Sequence, residues 1–348
     1  MIAALLLILA LPLAAKKKSK TPTGFTVPEL LLQDGRKLTF EHSINDERDV
    51  QIRRGFFKKL LDVVAGEPDY HKLIRPYGVV TDSRGRIIVS DPGARGIHIF
   101  DFSAHRYKFA SHPEGKEALR EPQCISVDKQ DNIYVTDSEA GKLFVFDSEG
   151  KFKRAIGSLK RGEGMFKRPT GIAVDSAANT IYVTDTLRDK IFVLDMQGSV
   201  LRTIGKSGSG EAEFNFPTEL RLEGEHLMVV DAMNFRVQVL GLDGKFQYAV
   251  GHLGESHGEF FRPKGVGLDS EGHIYVVDGW NAVVQVFDDR ANLLYYFGRR
   301  GTGFGDFQLP SGMFIDANDR VYVADSYNGR VQIFHYFGLQ KATSGGER

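Results

Sequence analysis

Residues 169–205 read PTGIAVDSAANTIYVTDTLRDKIFVLDMQGSVLRTIG. Runs rich in Ile, Val, Tyr and Phe alternate here with Asp-, Asn- and Gly-containing turns, the pattern of a strand meander. The reading gives strand a at Gly171–Val174, strand b at Ile181–Thr184, strand c at Lys190–Leu194 and strand d at Val200–Ile204. A helix is excluded because glycine or asparagine interrupts every run before an amphipathic helical turn pattern can establish itself. Alternation within each run is incomplete, as expected of strands covered on both faces by neighbouring sheets.

The same unit recurs along the chain. Its strand-b phrase ends at Asp91 (IIVSD), Asp137 (IYVTD), Asp185 (IYVTD), Asp231 (LMVVD), Asp278 (IYVVD) and Asp325 (VYVAD), spaced 46, 48, 46, 47 and 47 residues apart. Units open at Pro76, Pro122, Pro169, Pro217, Pro263 and Pro310. Where strand d ends in Gly157, Gly205, Gly251 or Gly298, the next proline follows 12 residues later. A period of this length marks an array of stacked supersecondary units.

The last copy stops after strand c at Arg330–Phe334, and the other end of the chain is expected to complete it. Phe57–Gly66 (FKKLLDVVAG) resembles the strand-d segment KFKRAIG at 151–157, which makes it the expected closing strand. The fold expected is therefore all-β: a six-bladed β-propeller of four-stranded antiparallel blades, its ring closed by an N-terminal strand. Closure of this kind leaves no open junction between first and last blades.

These residues resemble the NHL repeat, a six-bladed β-propeller family. The resemblance rests on Pro-x-Gly-φ-φ-φ-Asp, Ile-Tyr-Val-x-Asp, NFRVQVL at 234–240, NGRVQIF at 328–334 and the linker GTGFGDFQLPSG at 301–312. Blades 1 and 2 depart from it, with Gln123-Cys124 in place of x-Gly and PGARG or SEAGK in place of the Asn-x-Arg hairpin. WD40 and kelch patterns fit worse, since the chain has one tryptophan.

Outside the repeat, Met1–Ala15 is an unbroken apolar run followed by Lys16, Lys17, Lys18 and Lys20. It is too short for a bilayer-spanning helix, which needs about 20 residues, and has the length of a signal-peptide core. The domain layout expected is a signal peptide or short anchor at 1–15, a polar arm at 16–55, the propeller at 56–338 and a disordered tail at 339–348. Export to the periplasm or exterior follows, with no transmembrane span in the mature chain and a monomeric state. Lys+Arg and Asp+Glu both number 45, so no global field draws the chain to nucleic acid or an anionic membrane. The single cysteine, Cys124, lies in an apolar strand pattern and reads as a buried, inert thiol.

The six repeated aspartates read as hairpin fasteners that accept backbone N–H bonds. The glycine-rich linkers, such as GKSGSG at 205–210, read as chain crossings and not as phosphate-cradling loops, because no Lys-Ser/Thr follows them. Function is expected at positions that break the repeat. Strand a lies nearest the axis, so Tyr77, Gln123, Thr170, Thr218, Lys264 and Ser311 should ring the channel mouth, with Glu219 standing where other units have glycine. Leu187, Met233, Phe235, Trp280 and Tyr327 sit at hairpin tips on the same face, where large side chains suggest a binding patch. Lys160, Arg161, Lys167, Arg168, Lys206, Arg299 and Arg300 make the linkers basic.

The function expected is that of a non-catalytic binding platform for a protein, peptide or glycan, with no cofactor and, if exported, no nucleic acid. A second class remains open. Six-bladed propellers of related appearance include lyases and lactonases that use a metal, here Zn or Ca, at the channel. Only Glu219, with Gln123 as a weak helper, and the linker residues His71, His112, His252 and His257 offer ligands for such a site. A cytoplasmic RNA- or protein-binding scaffold is the third reading.

Overall fold

The computed structural model describes residues 29–32, 35–51, 70–111, 118–157 and 165–339. Six antiparallel sheets form a ring, each running outward from strand a to strand d. Blade 3 shows the unit: Pro169–Asp175, Thr180–Asp185, Lys190–Asp195 and Val200–Ile204. Its strands extend those expected by no more than two residues at any end. The strands a contact one another in cyclic order, blade 6 against blade 1 included.

The core is divided into six wedges, each between two adjacent blades. This explains the continuous apolar runs of strands b and c: Ile133–Asp137 and Lys142–Phe146 are buried at every position, because each sheet face meets a neighbouring sheet. Cys124 lies in the wedge between blades 2 and 3. Burial holds its thiol pKa well above the ordinary value, so the side chain is an apolar filler there.

Ring closure differs from expectation in the strand used. The outer position of blade 6 is taken by Lys37–Ile44, which pairs antiparallel with Arg330–Phe337, and Glu29–Leu31 adds a fifth strand outside it. Phe57–Gly66, the segment expected to close the ring, lies outside the described residues. Part of the expected polar arm is thus structural: strands occupy 29–31 and 37–44, and a short 3-10 turn spans Glu47–Val50. The expected leader at 1–15 and all but Leu339 of the expected tail also lie outside the described residues.

A register shift between Phe40 and His42 gives this closing strand two uses. Side chains on a strand alternate faces, and one extra residue reverses which face later positions occupy. Leu38 and Phe40 accordingly enter the wedge between blades 5 and 6, whereas Ile44 enters the wedge between blades 6 and 1.

Linker geometry is fixed by glycine and phenylalanine together. Gly251 has φ +81°, and a β-carbon there would stand 2.1 Å from the ring of Phe260, which is fully buried. Phe214 and Phe307 fill the same place in the neighbouring linkers, each held by a parallel bridge to Ser207 and Arg300 respectively.

Candidate functional site

The six aspartates that end strand b are fully buried and tie two pieces of chain together. Asp278 accepts N–H bonds from Trp280 at 3.0 Å and Asn281 at 3.2 Å in its own hairpin. It also accepts from Phe261 at 2.8 Å and Arg262 at 3.2 Å in the incoming linker. Asp91, Asp137 and Asp185 hold the linkers to blades 1, 2 and 3 likewise, through the N–H groups of Arg75, Glu121 and Arg168. Hairpin fastening through backbone N–H groups, as expected from the sequence, holds in blades 1, 2 and 5, whereas in blades 3, 4 and 6 the hairpin bonds come from the side chains of Arg188, Asn234 and Asn328. Fastening of the linker was not legible.

This second contact shapes the channel mouth. In each unit the residue before the opening proline is held at the upper rim: Arg75, Glu121, Arg168, Phe216, Arg262 and Leu309 all line one cavity of about 480 Å³ on the axis. In blades 4 and 6 the aspartate grips the residue one place earlier, Asn215 or Gln308. Phe216 (φ +57°) and Leu309 (φ +45°) are then left in the left-handed region. The positions expected to ring the mouth, Tyr77, Gln123, Thr170, Thr218, Lys264 and Ser311, line this same cavity, together with Leu187 and Tyr327 from the hairpin tips.

Several of these side chains also join blades. Thr170 Oγ1 donates to the carbonyl of Thr218 at 2.8 Å, and Ser311 Oγ donates to the carbonyl of Tyr77 at 3.0 Å. Protein atoms crowd the ammonium of Lys264 and lower its pKa to about 8, with Arg262 adding to the effect. Burial raises the Tyr77 phenol well above its ordinary value, so it stays neutral.

Glu219, expected at the mouth, lies below it and is buried. Its Oε1 meets Arg221 Nη2 at 2.8 Å, and Arg221 reaches across from blade 4 to donate to the carbonyl of Met313 in blade 6. The Arg221 guanidinium also covers the ring of Phe314 at 5.3 Å. Blades 4 and 6 are not neighbours, so Arg221 spans part of the inner channel below the mouth. Burial raises the Glu219 pKa to about 7 against the opposing pull of Arg221 and Lys264. The carboxylate in the cup wall is instead Glu121, whose Oε1 meets Arg168 Nη2 at 3.4 Å.

The remaining expected residues stand apart from the cup. Phe235 takes the left-handed position that ends the Ala232–Asn234 turn, is half-buried and packs on the wedge between blades 4 and 5. Trp280 is 44% exposed, tilted against Phe261 at 5.5 Å, with the Arg300 guanidinium over its ring at 5.7 Å. Arg300 also donates to the Trp280 carbonyl at 2.7 Å. Arg299 is paired with Asp306 at 2.8 Å and Lys206 with Glu213 at 3.1 Å. Trp280, Phe261 and Arg300 form a separate rim patch.

The linker histidines do not converge. His71 meets Glu47 at 3.1 Å, His252 meets Glu259 at 3.4 Å, and His257 stacks on Tyr296 at 3.8 Å. His112 lies outside the described residues, as do Lys160 and Arg161. Among the described residues, no three His, Cys, Asp or Glu side chains are placed to share a metal ion, and no helix is long and apolar enough to cross a membrane.

Fold and repeat together define a six-bladed β-propeller. A family model described as a 6-bladed beta-propeller matches residues 118–206 and 174–248, and one described as the NHL repeat matches residues 307–334. The chain is thus a six-bladed β-propeller whose repeats are similar to the NHL repeat. No curated protein matches it.

Solved structures share the fold at low identity. Virginiamycin B lyase from Staphylococcus aureus is 13% identical with TM-score 0.54, covering 75% of this chain and 95% of that one. An auxiliary nutrient binding protein from Bacteroides thetaiotaomicron is 12% identical with TM-score 0.58, covering 76% and 69%. A protein of unknown function from the same organism is 15% identical with TM-score 0.59, covering 76% and 70%.

Proposed function

We propose that the chain is a binding platform that holds a protein, peptide or glycan at the mouth of its channel without transforming it. One observation carries this reading: six inner strands bring non-repeating side chains around one cup of about 480 Å³. That size is ordinary for a ligand pocket, which typically spans roughly 300–1,000 Å³. The fold likeness to an auxiliary nutrient binding protein is in keeping with such a role.

In this reading the protein works outside the cytoplasm as a monomer, needs no cofactor and meets no nucleic acid. The apolar run at 1–15 supports export, and fractionation of cells expressing the full chain tests it. Retention of the protein in the cytoplasm would remove that part of the proposal.

The alternative, a metal-dependent lyase or hydrolase, draws on the fold likeness to virginiamycin B lyase. Both readings use the same cup. Arrays of immobilised peptides and glycans, probed with wild type, Tyr327→Ala and Trp280→Ala, test the platform. Capture lost in Tyr327→Ala and kept in Trp280→Ala supports a ligand seated in the cup. Capture lost only in Trp280→Ala moves the site to the rim patch. Turnover of a captured compound that depends on added Zn or Ca would favour the alternative.

A further inference from the structure

The charges of the cup are arranged in an order that neither the repeat nor the platform reading requires. Arg75, Arg168 and Arg262 occupy the position before the opening proline in blades 1, 3 and 5. Alternate blades of a six-bladed ring are evenly spaced, so three arginines line one mouth from three sides, and the charges of Arg168 and Arg262 both act on Tyr77 and Lys264. Lys264 adds an ammonium from blade 5, and among the described residues Glu121 is the one carboxylate in the wall. Three positive charges are therefore left in excess. Among the described residues the Arg75, Arg262 and Lys264 side chains make no ion pair, while Arg168 makes only its 3.4 Å contact to Glu121.

Elsewhere on the upper face several bases are matched by acids, although Arg300 meets only the ring and carbonyl of Trp280. Arg299 pairs with Asp306, Lys206 with Glu213, Arg236 with Asp231 and Arg330 with Asp325. A flat basic surface suited to a nucleic-acid backbone is not what this distribution builds. The uncompensated charge is gathered around one concave mouth, where a single sign of charge raises the local concentration of an oppositely charged ligand. Between the arginines stand Phe216 and Leu309, with Tyr77 and Tyr327 nearby, so the walls also suit an organic body.

Resting on the platform reading, we infer that the cup recognises a compact organic anion carrying two or three acidic groups, which Arg75, Arg168 and Arg262 engage together. The buried Glu219–Arg221 pair lies beneath it, so the ligand meets the arginines from the upper face. An anion of this kind can be a free polycarboxylic acid or the acidic end of a peptide, and the two sources are separable by experiment.

The test is calorimetric titration of the full chain with citrate, with tri-aspartate and with trimethyl citrate, at low and high salt. Wild type should bind citrate, tri-aspartate or both at one site and ignore the neutral ester, with affinity falling as salt rises. Citrate alone identifies a free acid as the source, and tri-aspartate alone identifies a peptide end. The triple variant Arg75→Gln, Arg168→Gln, Arg262→Gln should bind at least about tenfold more weakly, since each lost charged contact weakens the complex. Glu121→Gln should bind more tightly, because it removes the opposing charge, and it keeps the inference testable should the triple variant fold poorly.

Binding of neither anion by wild type, or equal binding by wild type and triple variant, overturns the inference. Capture of neutral peptides or glycans by both proteins alike would then leave the platform standing with a different ligand. Absence of any captured peptide or glycan, together with binding of neither anion, would count against the platform itself.

Discussion

Asp278 accepts the backbone N–H of Arg262 at 3.2 Å, and the Arg262 side chain lines the channel mouth. A residue of the repeat thus aims a residue outside it. The same relationship joins Asp91 to Arg75 at 3.0 Å and Asp185 to Arg168 at 3.0 Å. The scaffold aspartates act on the site through the linker backbone, with no chemistry of their own.

Asp278→Ala removes the acceptor for four backbone N–H groups and the Asn281 side-chain amide. Buried donors left without partners cost about 1–3 kcal/mol each when water cannot reach them. Rim water offsets part of this, so a net loss of roughly 2–4 kcal/mol is expected, read as a lower denaturant midpoint. An unchanged midpoint would mean that the linker is held by something else.

Gly251→Ala and Gly272→Ala separate backbone strain from packing. Both glycines have positive φ, +81° and +85°, but only Gly251 has a neighbour in the way, the Phe260 ring at 2.1 Å. Gly272→Ala should cost about 1 kcal/mol for the backbone alone. Gly251→Ala should cost clearly more and lower the melting temperature further. Equal losses would contradict the role of Phe260 as the linker's filler.

Glu219 gives stability a pH slope with a definite sign. Its folded pKa, about 7, lies above the unfolded value, so the folded state binds more protons between the two. Stability from this group therefore falls as pH rises from the ordinary carboxylate range to about 7 and is flat beyond it. Glu219→Gln has no such slope. Chemical denaturation across that window should show the variant gaining on wild type as pH rises; a constant difference would show that Glu219 titrates normally.

Phe40→Ala and Ile44→Ala examine the closing strand. Phe40 is packed between blades 5 and 6, and Ile44 between blades 6 and 1. Each truncation should cost roughly 2–5 kcal/mol. Because the two side chains sit in separate wedges, the double variant should equal their sum to within about 0.5 kcal/mol. Wild-type stability in Phe40→Ala would contradict the pairing of Lys37–Ile44 with Arg330–Phe337.

Ring, blade count and the six strand-a side chains at the mouth were legible in the sequence, because a periodic chain places equivalent residues equivalently. Tyr77, Gln123, Thr170, Thr218, Lys264 and Ser311 line one cavity for that reason alone. Lys37–Ile44 closes the ring where Phe57–Gly66 is expected, because the latter's sequence imitates the strand-d segment at 151–157. KLTFEHSI at 37–44 carries its own period-2 signal in Leu38, Phe40 and Ile44, far from any linker. Glu219 was placed at the mouth although the pair with Arg221 draws it into the channel. The arginine triad lies in plain register before Pro76, Pro169 and Pro263. Its meaning depended on the linker N–H groups being tied to buried aspartates, a long-range contact that no local pattern encodes.

Arginine side-chain NMR of the full chain tests the central claim most directly, with each Nε–Hε signal assigned by single Arg→Lys substitution. Titration with citrate and tri-aspartate should shift Arg75, Arg168 and Arg262 together at one saturating concentration, while Arg299 and Arg300 on the rim stay still. No movement of the three, or movement of Arg300 beside Trp280 in their place, would contradict recognition in the cup.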